Sequence, residues 1–495
     1  MSRRATQRLH ATPLLIAAAT MLVLAGCSRA PAAPKILSQD GTQATTGTDG
    51  ATTPGSSMAS PGASPKPGTS TSGPSTITPG TGPGATTPGT GPGGGAGNPN
   101  APDPTYADTK TKLFTPKENR IGITSNQITM CAHAALTYGA AFNTTADDFN
   151  VYFSALNDAG GIFGRKVVVT YENDNYTAAD AVKAATACAA KNPFILIGGI
   201  GFDQIPAVRN FVEQRHILYF HHTATLRGTA GQKYSFSELP TVERMGEAYA
   251  QLAHLKFQGK RIGIIERDSP NWSPGTDSFK ALAKTYGLNI VKDVKVVDKQ
   301  ANYTDAILAM KNAKAEVVFG WENALNATEL ITQAKRQLYS PNWLFFGVNL
   351  MSQTLKDDAL TPPLIGAVMY TPYSYGDYTG PFAPYANDMK LFEAQYKKYR
   401  PNTKLKGVGG DLLFLNWVGQ KALAQQLQMC GKDCTRNRFI DTIKSYNMTP
   451  TTSACTIDFV HSDGYHGSNR LNFIEAYKSP SGQVNFRNFK SCVGP

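Results

Sequence analysis

Long hydrophobic runs are nearly absent from this chain of 495 residues. The run near its start, "PLLIAAATMLVLAG" at residues 13–26, barely approaches the roughly 20 residues that a spanning helix needs. It also ends in small residues rather than a basic stop, which argues against a transmembrane protein. Charge is sparse at 17% of residues, and the 48 Lys and Arg against 36 Asp and Glu are scattered. Without a basic stripe interleaved with aromatics there is no nucleic-acid surface, and the net charge of +12 reads as solubility near anionic envelopes. No Gly-rich phosphate loop, Ser-centred elbow or HExxH motif occurs, so those routes to phosphoryl transfer, acyl transfer and zinc hydrolysis have no carrier. "CGKDC" lacks a second short-spaced Cys or His pair and the 8 His are dispersed, so neither a metal nor a cofactor is expected. Asp147 and Asp148 fall at a helix start, where they favour its dipole rather than form an acid–base pair. The expectation is a binding protein, not an enzyme.

What is present begins with an export signal. Arg3, Arg4 and Arg8 precede the apolar run, and Leu24, Ala25 and Gly26 lead into Cys27. This order resembles the bacterial lipobox, which implies cleavage after residue 26 and diacylation of Cys27. Each buried methylene of an acyl chain contributes about 0.8 kcal/mol, and two chains hold where one only visits. The protein is therefore expected outside the cytoplasm, held to the outer face of the membrane by lipid. Loss of residues 1–26 leaves a net charge of +9.

Residues 27–105 read as a tether. They are mostly Thr, Pro, Gly, Ser and Ala, as in "TPGTGPGATTPGTGPGGGAG", without the apolar periodicity that builds a core. Of the 7 Cys, six lie beyond the tether, an even number that suits an oxidising compartment. Six allow 15 pairings. Neighbours in chain order, or within one βαβ unit, favour Cys131 with Cys188, Cys430 with Cys434, and Cys455 with Cys492.

Residues 106–495 are globular in composition, and about 390 residues at roughly 150 per domain suggest two or more lobes. "QITMCAH", "RKVVVTYEND", "PFILIGG" and "HILYFHH" read as strands, separated by helical stretches such as "AADAVKAATACAAK" and "IPAVRNFVEQR". The order begins again with "KRIGIIERD", "NIVKDVKVV", "AEVVFGW" and "NWLFFGVN". Two runs of alternating strands and helices argue for an α/β chain with two parallel sheets, each covered on both faces.

"NDAGGIFGRKVVVTYENDNYTAADAV", "RIGIIERDSPNWSPGTDSFK" and "FVHSDGYHG", in that order, resemble the type I periplasmic binding proteins of the Leu/Ile/Val-binding kind. The likeness runs from about Arg120 to Phe486. It implies two doubly wound lobes joined by a three-strand hinge, lobe 1 at about 116–238 and 372–454, lobe 2 at about 239–371 and 455–495. It also implies a monomer that captures a small molecule between the lobes and delivers it to the permease of an ABC importer. A sensor signalling through a partner protein would use the same site.

Ligands of open parallel sheets sit beyond the carboxyl ends of strands. The loops there nominate Tyr138, then Phe202, Asp203 and Gln204, then Thr223, Ala224 and Thr225 from the first lobe. The second lobe nominates Trp272, then Trp321, Glu322 and Asn323, then Asn349. His221 and His222 read as buried strand-end residues. The resemblance puts a serine-rich carboxylate-binding turn where Phe202, Asp203 and Gln204 stand, and an acidic partner for a ligand ammonium where Asn349 stands. Burying an ammonium without a carboxylate is costly, so an amino-acid ligand requires Asp203 or Glu322 as substitute. The aromatics favour an uncharged, polyol-like or ring-bearing ligand.

Overall fold

The computed structural model describes residues 111–137, 146–199, 201–222, 225–298, 300, 302–347, 364–371, 386–403, 405, 410–448, 457–459, 465–478, 480, 482 and 484–494. The export signal, Cys27, the tether, Tyr138, Thr223, Ala224, Asn349 and Cys455 lie outside them. Among the described residues no helix is long and apolar enough to cross a membrane.

The first sheet is built from β1 (Gln127–Ala134), β2 (Lys166–Asn173), β3 (Ile195–Ile197), β4 (Tyr219–His221) and β5 (Ser235–Ser237). Their spatial order is β2-β1-β3-β4-β5, with every pairing parallel. β1 is buried on both faces, as its apolar run requires. Helix Ala178–Ala190 starts where Thr177 caps it by accepting from the Asp180 N–H at 3.1 Å. Ala181, Ala184, Ala185 and Cys188 form its buried stripe at helical spacing. Cys188 thereby meets Cys131 of β1 in a disulfide that spans 57 residues. In the chain-entropy picture a loop of that length stabilises the fold by about 4 kcal/mol. The long helix Gly410–Cys430 is apolar on most sides and buries Leu413, Trp417, Ala424 and Leu427. Leu423, Ala424 and Leu427 join Met130, Ile195 and Phe220 in the first core. A second disulfide, Cys430 with Cys434, closes the turn after that helix. Cys492 is also disulfide-bonded.

The second sheet contains β6 (Arg261–Arg267), β7 (Asn289–Val296), β8 (Val317–Trp321), β9 (Asn342–Phe345) and β10 (Val368–Thr371), all parallel. A two-stranded ribbon, β11 (Asn447–Met448) with β12 (Ile457–Asp458), precedes the last hairpin. That hairpin, β13 (Leu471–Lys478) and β14 (Val484–Val493), adds an antiparallel edge beside β10. The sequence pattern indicated only the parallel part, because a hairpin edge carries no crossover helix to announce it. The full order is β14-β13-β10-β9-β8-β6-β7.

The chain passes between the lobes three times: after β5, between β10 and helix Ala386–Tyr399, and between Phe459 and β13. Phe459 still packs in the first core, so the third passage follows it rather than falling at 454 to 455. Two passages are tied together. The Ser237 N–H donates to the Tyr465 carbonyl at 2.8 Å, and the Gly467 N–H donates to the Ser237 carbonyl at 2.7 Å.

Candidate functional site

Strand β3 ends against a run of glycines that brings backbone close to backbone. A Cβ on Gly199 would lie 2.8 Å from the His133 carbonyl oxygen, and Gly201 has a φ of +130°, a conformation that side chains disfavour. This turn projects Phe202 out of the first lobe. Its ring is 2% exposed and belongs to the second lobe's core, with centroids 4.6 Å from Trp272, 5.2 Å from Phe346 and 6.2 Å from Trp321.

Asp203 follows it across. Its Oδ1 accepts from Ser269 Oγ at 2.7 Å and Asn271 Nδ2 at 3.0 Å, while Oδ2 lies 3.3 Å from Arg267 Nη2. Arg267 ends β6 and also lies 3.3 Å from Asp298 Oδ2. Its guanidinium stands 5.2 Å from the centre of the Trp272 ring. Burial works against its charge, but Tyr176, Asp298, Asp203 and Glu322 outweigh that and raise its pKa above the ordinary value.

Trp321 ends β8 and Glu322 follows it. The Trp321 indole donates to the Trp272 carbonyl at 2.9 Å, and a Cβ on Gly275 would come within 2.4 Å of the Trp321 ring, so helix Ser273–Thr285 presses directly on it. Glu322 is buried, and Oε2 accepts from Asn326 Nδ2 at 2.9 Å. Burial pushes its carboxyl up to about 8 against the pull of Asn326 and Arg267. Asn323 donates to Asp298 at 2.9 Å. Among the described residues, three buried polar atoms amid this cluster lack a hydrogen-bond partner: Arg267 Nη1, Trp272 Nε1 and Glu322 Oε1. Buried polar groups are nearly always paired, so two donors and an acceptor at one place call for a further partner.

The structure thus gathers Phe202, Asp203, Trp272, Trp321, Glu322 and Asn323 where the lobes meet. Gln204 packs behind the turn, where a Cβ on Gly201 would strike its amide. Thr225 uses its hydroxyl to cap helix Leu226–Thr229, accepting from the Gly228 N–H at 2.8 Å. Both are buried. Sequence reasoning passed over Arg267, Ser269, Asp298 and Phe346, although β6, β7 and β9 end beside them and the same strand-end rule reaches them.

A family model described as periplasmic binding protein matches residues 137–478. The chain belongs to the periplasmic binding proteins. Membership gives it a solute-binding role outside the cytoplasm. Among solved structures it is similar to a fatty acid ABC transporter substrate-binding protein from Thermomonospora curvata, at 17% identity, TM-score 0.61, covering 75% of this chain and 94% of that one. It is likewise similar to an ABC transporter solute-binding protein from Rhodopseudomonas palustris BisB5, in complex with 3,4-dihydroxy benzoic acid, at 17% identity, TM-score 0.60, covering 74% and 99%. The Leu-, Ile-, Val-, Thr- and Ala-binding protein of Brucella ovis in its closed conformation gives 17%, 0.59, 74% and 95%. No curated protein sequence matches the chain. At these identities the structures share the fold of this periplasmic binding protein, and its ligand has to be argued from its own side chains.

Proposed function

We propose that this periplasmic binding protein is a lipoprotein, anchored through Cys27, that captures a small polar or aromatic molecule between its lobes and delivers it to an ABC importer. The three unpartnered atoms at the meeting of the lobes, Arg267 Nη1, Trp272 Nε1 and Glu322 Oε1, carry this reading. They are set among Trp272, Trp321 and Phe346, rings that Phe202 covers in this structure and that a flat or ring-bearing solute takes over once the lobes part. Asp203 is engaged by Arg267, Ser269 and Asn271, so it is a poor partner for a ligand ammonium. Glu322, held neutral by burial, serves as a hydrogen-bonding group rather than an anion. Both points favour an uncharged or acidic aromatic solute over an α-amino acid.

A thermal-shift screen with amino acids, amides, sugars and aromatic acids tests the reading, because a ligand that binds only the native state raises its melting temperature. Aromatic acids or other ring-bearing solutes should stabilise the protein and quench the fluorescence of Trp272 and Trp321. Tight binding of leucine, with no response to any ring-bearing compound, would overturn it.

A further inference from the structure

Behind the contact between the lobes, the first lobe holds a hollow of its own. Two adjoining cavities share Ile197, Gly198, His222 and Asn416 and run between the ends of β1, β3 and β4 and the helix Gly410–Cys430. The space open to the centre of a water-sized sphere is about 40 Å³ in one and about 30 Å³ in the other. A single water needs roughly 10–15 Å³ by that measure, so the hollow has room for a functional group of a few heavy atoms. Most of its wall is apolar, and among the described residues no Lys or Arg lines it.

The polar groups that line it are underused. Among the described residues, Glu238, 5% exposed, finds no hydrogen-bond partner for Oε1, and His221, 3% exposed, finds none for either ring nitrogen. Gln420 donates from Nε2 to the Phe149 carbonyl at 2.5 Å, and its Oε1 has no partner among the described residues. His133, in contrast, is fully occupied, with Nδ1 at 2.8 Å from Asp174 Oδ2 and Nε2 at 2.7 Å from the Tyr219 hydroxyl. Among the described residues no cluster of His, Cys, Asp or Glu is arranged to hold a metal ion. Burial pushes Glu238 up to about 8. His221 lies well below its ordinary value, first through burial and then through His466, His222 and His133. A neutral carboxyl offers a donor and an acceptor, a neutral imidazole one of each, and Gln420 Oε1 an acceptor.

We propose that this hollow is a subsite for an uncharged group that both donates and accepts hydrogen bonds, a carboxamide, urea or hydroxyl, recognised by Glu238, His221 and Gln420. It rests on the solute-binding reading for the molecule that carries the group, but not for capture of the group itself.

Acetamide and urea are the probes, with methylammonium and acetate as charged contrasts, followed on the full chain at neutral pH by ligand-observed NMR. Gly419 lines the hollow from the helix, and a Cβ there meets only His222 Cε1, at 3.9 Å, so Gly419→Leu grows into the cavity. Acetamide or urea should bind wild type and Glu238→Gln within about threefold of each other, and Gly419→Leu and Glu238→Leu about tenfold or more weaker, the usual scale for one lost buried hydrogen-bonding partner. Methylammonium and acetate should bind about tenfold or more weaker than acetamide. If Gly419→Leu does not fold, the contrast of Glu238→Gln with Glu238→Leu decides alone. The proposal is overturned by undiminished binding to folded Gly419→Leu, by methylammonium binding tighter than acetamide, or by no acetamide or urea binding to wild type up to about 100 mM, a very weak affinity. Binding sensitive to Glu238→Leu supports it even where no larger solute shifts the melting temperature, so the two readings fail separately.

Discussion

Replacing Phe202 by Ala should act on lobe closure more than on folding. The backbone of Phe202 belongs to the loop after β3 in the first lobe, yet its ring lies wholly in the second lobe's core, among Trp272, Trp321 and Phe346. Truncating a buried Phe costs about 3–5 kcal/mol, made of lost apolar transfer, the cavity left behind and lost ring contacts. If the ring leaves that core whenever the lobes part, this loss falls on the closed state alone. A penalty of about 3 kcal/mol then shifts the closing equilibrium about 150-fold toward the open form. X-ray scattering should show a larger radius of gyration for Phe202→Ala without ligand, while the melting temperature falls by only a few degrees. The opposite outcome would refute the reasoning. An unchanged radius with a melting temperature lower by ~6–20 °C, as expected for that energy lost from the fold itself, would make Phe202 an ordinary core residue.

Stability should depend on pH in a defined window. Burial raises Glu238 and Glu322 to about 8 and Glu266 to about 7, so their protonated forms favour the fold fully below the ordinary carboxyl value of 4.5, and this is lost as pH rises through 7 and 8. His222, lowered by burial to about 4, and His221, also lowered, contribute in full above 6.5 and lose it as pH falls. Between pH 6.5 and 8 only the carboxyl losses remain, so the unfolding free energy measured in urea should fall, by up to ~1.4 kcal/mol per pH unit for each carboxyl, and Glu238→Gln should flatten the fall; a rising free energy contradicts this. Arg436→Met leaves the Pro193, Phe194 and His216 carbonyls without their buried donor and should destabilise the first lobe by about 3 kcal/mol or more in urea unfolding, whereas a loss under about 1 kcal/mol would show the carbonyls finding other partners. Cys27→Ser should release the protein from membranes or leave an unprocessed precursor; a variant still processed and membrane-bound to the wild-type extent would end the lipoprotein reading.

The sequence by itself determined the elements whose cause is local. The apolar run of β1, the Thr177 cap and the alanine stripe of helix Ala178–Ala190 are each set within a few residues, and the strand ends that nominate loops follow from them. The pairing of Cys131 with Cys188 was favoured because one βαβ unit contains both. Asp203 and Phe202 were legible as strand-end residues, but not their partners, since Ser269 stands 66 residues from Asp203. Trp272, nominated as a ligand contact from its place in a strand-end loop, is also a wall of the second core, because Phe202 closes on it from the other lobe. Glu238 and Gln420 meet at the hollow only because the helix Gly410–Cys430 returns to the first sheet after the chain has built most of the second. No periodicity within a segment encodes such a return. It is fixed by which apolar faces remain to be covered once both sheets exist, and that is decided in three dimensions.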